Sequence, residues 1–120
     1  MSFRETLKEL VEEVEGGLGA ILMGYDGIAI DEYILAGSDF DISLLAVEYA
    51  TLMKEIRRTV EVLQSGDFEE LAVATGELRV VVRVVNDEFF VVLIIDRDGN
   101  YGKGRYLLRR SVPGLRAALS

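Results

Sequence analysis

The 120-residue sequence has no cysteine, no histidine, no tryptophan and one proline, Pro113. Without thiols or imidazoles it can form neither disulfides nor the usual Cys/His zinc sites, and it lacks the nucleophiles and general bases on which most hydrolases depend. Neither a metal nor a cofactor is expected. Long hydrophobic runs are missing too: the apolar stretches fall far short of the roughly 20 residues a membrane helix needs. The opening residues do not have the cationic and apolar pattern of a secretory leader, so a cytoplasmic location without membrane insertion is expected. Half of the residues are nevertheless hydrophobic, enough for a single domain over 1–120 that buries roughly two-thirds of its unfolded surface.

The net charge of −8 repels nucleic-acid phosphate and anionic lipid, so no nucleic-acid partner is expected. Its distribution is uneven: residues 1–50 carry 2 basic and 11 acidic groups, and residues 97–120 carry 6 basic and 1 acidic. The basic tail is therefore a candidate for a charge-complementary contact.

Ser2 followed by Glu5 has capping-box spacing, and Phe3, Leu7, Leu10, Val11 and Val14 recur at helical intervals, predicting an amphipathic helix over 2–15 ended by Gly16-Gly17. The stretch GAILMGYDGIAIDEYIL reads as a β-hairpin, with a Tyr25-Asp26-Gly27 turn followed by Ile28, Ile30 and Ile34 in alternation. A long helix is predicted from Asp41, with Ser38 and Asp39 as alternative caps, to Ser65-Gly66. Its stripe is Ile42, Leu45, Tyr49, Leu52, Met53, Ile56, Val60 and Leu63; Ala46 and Ala50 flank it, where small side chains would admit another helix. At 1.5 Å per residue it spans about 35 Å, more than a small sheet needs for cover.

Three further strands are predicted over 69–75, 78–85 and 88–96, joined by Gly76-Glu77 and Asn86-Asp87 turns. In LRVVVRVV, Leu78, Val80, Val82 and Val84 share one face and Arg79 and Arg83 the other; in EFFVVLII both faces are apolar, which marks a central strand with helices on both sides. Asn100 can cap a last helix through Leu108, Leu115 and Leu119 that Pro113 should kink or restart. The fold class is α+β, an α/β sandwich of order α-β-β-α-β-β-β-α. It has a five-stranded, mostly antiparallel sheet with the long helix on one face and the terminal helices on the other.

The stretch DRDGNYGKGRYLLRR, residues 96–110, opens like a calcium loop, but the positions that need glycine and a bidentate glutamate are Tyr101 and Leu107. It also fails as a phosphate loop, because Arg97 stands where the first glycine belongs and Gly104 replaces the hydroxyl that would hold magnesium. What remains is a strand-to-helix joint, with Asp98-Gly99 as a turn and Gly102 and Gly104 allowing close approach of the helix. Asp31 and Glu32, adjacent in a strand, point to opposite faces and cannot share a substrate.

The element order, with GAILMGYDGIAIDEY near the start and GNYGKGRYLLRR near the end, resembles the Roadblock/dynein light-chain domain family, its bacterial MglB-like members above all. In that family the turn at 24–27 joins the first two strands and the stretch at 100–105 enters the last helix. The resemblance implies a homodimer whose long helices pack side by side and whose third strands pair edge to edge. The dimer residues would be Ala46, Tyr49, Ala50, Met53, Leu71 and Val73. It further implies a non-enzymatic regulator or scaffold that binds a small Ras-like GTPase, with a GTPase-activating role among the options. Lys54, Arg57, Arg58 and Glu61 are the candidate contacts, and Arg57 or Arg58 could be lent to the partner. The alternatives are a small-molecule-sensing module of a profilin- or longin-like sandwich and a purely structural dimer in a motility or polarity complex. Independently of the family, Glu5, Glu9 and Glu12 on the first helix face a possible counterpart in Arg105, Arg109 and Arg116 on the last, and the two stripes are expected to meet.

Overall fold

The computed structural model describes residues 2–37 and 40–120. Its elements are α1 (Phe3–Glu12), β1 (Gly17–Gly24), β2 (Ala29–Ile34), α2 (Ile42–Leu63), β3 (Glu70–Ala74), β4 (Leu78–Val84), β5 (Phe89–Asp96) and α3 (Tyr101–Leu119). The strands form one sheet in the order β2-β1-β5-β4-β3, with every neighbouring pair antiparallel. The expected α+β order is the observed one.

The two faces of the sheet hold separate cores. On one, Leu7, Leu10 and Val11 of α1 and Leu107, Leu108 and Leu115 of α3 pack on Val81, Val91, Leu93 and Ile95. On the other, Ile42, Ala46, Ala50 and Met53 of α2 pack on Val80, Val82, Phe90, Val92 and Ile94. Fully burying one such aliphatic side chain stabilises by about 1.5–3 kcal/mol, and β5 supplies such groups to both cores.

Local chemistry sets the ends of the helices. The Ser2 hydroxyl accepts from the Glu5 N–H, the Asp41 carboxylate from the Leu44 N–H and the Asn100 side chain from the Lys103 N–H, each satisfying a donor without a helical partner. The other cap candidates for α2, Ser38 and Asp39, lie outside the described residues. α1 stops at Glu12, three residues before the expected end, because the chain folds back at once: the Gly17 N–H donates to the Val14 carbonyl, and a side chain on Gly17 would collide with the Val11 carbonyl. α2 ends at Gln64, which takes the left-handed conformation (φ 51°). α3 does not restart at Pro113: Leu108, Val112 and Leu115 are buried on either side of it at helical spacing, so the helix keeps its face towards the sheet.

The α2 stripe is rotated from the expected one. Ala46 and Ala50 lie against this chain's own sheet, and Leu44, Val47, Leu52, Val62 and Leu63 are exposed. The sheet beneath is filled by valine, isoleucine and phenylalanine, so small residues let the helix sit close to it.

The joint at 96–100 is the tightest part of the frame. A Cβ on Gly99 would lie 2.5 Å from the Glu15 carbonyl oxygen and 3.1 Å from the Gly16 Cα, and one on Gly104 would lie 2.6 Å from Ile95 Cδ1. The Asn100 N–H donates to Glu15 and the Asp96 N–H to Gly16, both at 2.8 Å, so the ends of α1 and β5 are tied backbone to backbone. Gly102, expected to serve close approach as well, faces open space apart from its own cap residue. Gly99→Ala should therefore cost about 1–3 kcal/mol in urea denaturation through overpacking, and Gly102→Ala should be neutral or stabilising by up to about 1 kcal/mol. Equal effects of the two substitutions would contradict this account.

Candidate functional site

The outer side of α2 carries five of the large apolar side chains exposed among the described residues, and β3 is one of the two edge strands of the sheet. Leu44, Val47 and Leu52 are exposed along α2, and Val62 and Leu63 at its end are about two-thirds exposed (70% and 69%). β3 pairs only with β4, so its other side is an open edge. Of the residues expected at a dimer interface, Ala46, Ala50 and Met53 lie on the inner side of α2, buried against this chain's own sheet. The hydrophobic periodicity was broader than one face, and the alanines mark its sheet side. Tyr49 is half-buried at the edge of α2, its phenol pushed up by burial. Leu71 and Val73 are half-buried on β3, where Leu71 packs against the α2-side core.

The four candidate contacts on α2 separate into two kinds. Lys54 and Glu61 are exposed, and Arg58 pairs with Glu55 at 3.6 Å, with both side chains 67% exposed. Arg57 is held by its own chain: it donates to the Asp87 carbonyl at 2.7 Å and lies 3.9 Å above the Tyr25 ring, which itself packs edge-on against Phe90. Burial pushes the Tyr25 phenol up, against the pull of the Arg57 charge. Arg57 thus ties α2 to the β1–β2 and β4–β5 turns. An aromatic residue in a turn was the only signal for Tyr25 in the sequence, and nothing there paired it with Arg57.

The expected contact between acidic and basic stripes does not form among the described residues. α1 lies over β1 and β2 and α3 over β4 and β5, the two helices touch, and a groove of about 620 Å³ flanked by Glu9 and Arg110 runs along their seam. Arg105 instead reaches Glu70 on β3 at 2.6 Å, and this hydrogen bond raises the guanidinium pKa further. Arg83 completes the cluster, 3.3 Å from Glu70 and 3.5 Å from Glu69. Arg116 donates to the Val85 carbonyl at 2.8 Å, Glu12 accepts from the Tyr33 hydroxyl at 3.0 Å, and Arg109 is exposed. Overall charge gave the sign of the tail but could not single out Glu70, which lies 35 positions from Arg105. The Tyr33 phenol is pushed up by its bond to the Glu12 carboxylate.

Arg57→Ala should cost about 1–3 kcal/mol in denaturant unfolding, since it removes a cation–π contact and a hydrogen bond to a charged donor. Arg58→Ala should fall within about 0.5 kcal/mol of wild type. Arg57→Ala without measurable loss would remove the structural role assigned to this side chain.

No family model and no curated protein matches the chain. Among solved structures it is similar to MglC from Myxococcus xanthus, with 40% identity and a TM-score of 0.72 over 98% of this chain and 99% of that one. It also superposes on a Roadblock/LC7 domain from Streptomyces avermitilis at 17% identity (TM-score 0.85; 99% and 98% covered). Two MglB structures share the fold over 94% of this chain and 84% of theirs. One, in a tetrameric arrangement, is 20% identical (TM-score 0.82); the other, a gliding protein from Thermus thermophilus, is 19% identical (TM-score 0.81). With 40% identity to MglC along nearly the whole of both chains and the Roadblock architecture throughout, the chain belongs to the Roadblock/LC7 family.

Proposed function

We propose that this protein is a homodimeric, non-catalytic regulator or scaffold in a motility or polarity system and that it acts by binding a small Ras-like GTPase. The observation that carries the proposal is the uncovered apolar side of α2, where Leu44, Val47, Leu52, Val62 and Leu63 stand in water when the chain is alone. Side chains of this size gain about 1.5–3 kcal/mol each when fully buried, and the open edge of β3 beside them offers unpaired backbone groups to a second copy. The tetrameric MglB and the gliding-protein MglB support self-association and a place in motility. Among the described residues no helix is long and apolar enough to cross a membrane, and a cytoplasmic location is part of the proposal. Regulation needs neither a cofactor nor a nucleophile of its own, because a regulator can position the catalytic groups of its partner or lend an arginine. With Arg57 engaged inside the chain, Arg58 is the arginine of α2 open to lending, and Lys54 and Glu61 are open to contact.

Sedimentation tests the dimer. Wild type should sediment as a dimer at micromolar concentration, and Leu52→Glu, on an exposed position, should shift it to monomer with an unchanged helical spectrum. A wild-type monomer would sink the proposal. A charge at Ala50 would report on the fold instead, since that residue lies in the core. Pull-down from the source cell followed by GTP turnover tests the partner. A GTPase should be retained, and its turnover should change on adding this protein. If Arg58 is lent, Arg58→Ala should lower stimulated turnover by about 10³-fold or more while binding persists. Failure to retain any GTPase would reject the partner assignment.

A further inference from the structure

The two edges of the sheet differ in how their backbone groups are used. Along β2 the Leu35 N–H donates to the Leu18 carbonyl, and the alternation of an antiparallel ladder then points the backbone groups of Tyr33 and Asp31 at β1 and those of Glu32 and Ile34 away from it. Both outward groups of Glu32 are occupied by side chains. Its N–H donates to the Asp31 carboxylate at 2.8 Å, and its carbonyl accepts from the Arg4 guanidinium at 3.1 Å. Arg4 lies 4.0 Å from Asp31 and 5.8 Å from the centre of the Tyr33 ring, and it stands in the first turn of α1, whose start the Ser2 cap fixes. Two residues before Glu32 the ladder is interrupted: Leu22 pairs with Asp31 and Met23 with Ala29, so Ile30 has no partner and the strand bulges. β3 carries no such cover. Its register with β4 runs from Glu70 to Ala74 without a shift, and the Thr75 to Leu78 and Val84 to Glu69 bonds at its ends leave the groups of Ala72 and Ala74 outward. Among the described residues no side chain bonds to the backbone of either alanine.

An edge strand is a template for another strand unless something blunts it. With Ile30 bulged and Glu32 covered, an incoming strand finds the Ile34 groups alone, and pairing must first strip Arg4 and Asp31 from the backbone. We infer that Arg4 and Asp31 guard the β2 edge against a second copy of this chain and so set where edge-to-edge assembly stops. Two copies paired through β3 present a β2 strand at each end of one continuous sheet. Each such end is self-complementary, so an open β2 would let dimers add without limit into a filament, whereas a guarded β2 closes the assembly at two chains. The stop at two rests on the dimer proposed above; the guard does not, because it acts on β2 whatever β3 does.

The test is sedimentation of the full chain beside the double variant Arg4→Ala/Asp31→Ala. The variant should keep the helical spectrum of wild type and, as concentration rises, reach a weight-average mass at least about twice that of wild type. Adding Glu32→Pro, which removes the outward N–H at a position where an edge strand tolerates proline, should return the wild-type mass. In the associated double variant the Ile34 amide should exchange with solvent at least about tenfold more slowly than in wild type, since it then lies inside a ladder; this readout decides the matter if the proline variant does not fold. An unchanged mass, growth that a folded Glu32→Pro variant retains, or slowing at Ala72 and Ala74 with none at Ile34 would overturn the guard. So would a wild type that itself grows beyond two chains with Ile34 protected. A wild-type monomer would defeat the dimer alone, and the guard would then be upheld by growth of the double variant from one chain to two and overturned by its absence.

Discussion

Strand β5 sends Phe90, Val92 and Ile94 towards α2 and Val91, Leu93 and Ile95 towards α1 and α3, and none of the six is exposed to water. A strand apolar on both faces can be stable only if both faces are covered. That requirement places β5 inside the sheet, between β1 and β4, and calls for helices on each side. It also explains the joint at 96–100: the chain leaving β5 must turn at once onto the α1 side, and the backbone of Gly99 passes against that of Gly16 where no side chain fits.

α2 meets a conflicting demand. The sheet under it carries bulky side chains, so a close fit calls for Ala46, Ala50 and Met53 on the inner side. The larger apolar residues of the same helix are then turned outward, and one chain has nothing with which to cover them. Close packing inside the chain and an apolar exterior are two results of one rotation of the helix. The neighbouring edge of β3 extends the uncovered region with backbone groups.

Arginines perform most of the cross-linking between layers. Arg57 reaches from α2 to the turn at Asp87, Arg116 reaches from α3 to Val85, and Arg105 joins Arg83 on the Glu70 carboxylate, itself only 13% exposed. Two of these contacts end on backbone carbonyls close together in the β4–β5 connection, so helices on opposite faces of the sheet hold the same turn. Because a guanidinium has several donors and keeps its charge, it can bind a carbonyl and still lie over an aromatic ring, as Arg57 does over Tyr25.

Element order, strand limits to within a residue or two, the caps at Ser2, Asp41 and Asn100, and the central place of EFFVVLII were all legible in the sequence, because local periodicity and turn chemistry record them. The rest was not local. Which side of the broad α2 stripe meets the sheet depends on the volume of the strands beneath it. Whether α3 breaks at Pro113 depends on whether Val112 and Leu115 find a common surface with Leu108, and they do. The net charge and its asymmetry were properties of the chain, whereas the pairing of Arg105 with Glu70 on β3 in place of the acidic stripe on α1 followed from which side of α3 the folded chain turns towards β3. Sequence determined the elements and the sign of each surface, since both arise from neighbours along the chain. Tertiary structure alone decided which side chains meet, because those meetings depend on distances across layers that no local pattern encodes.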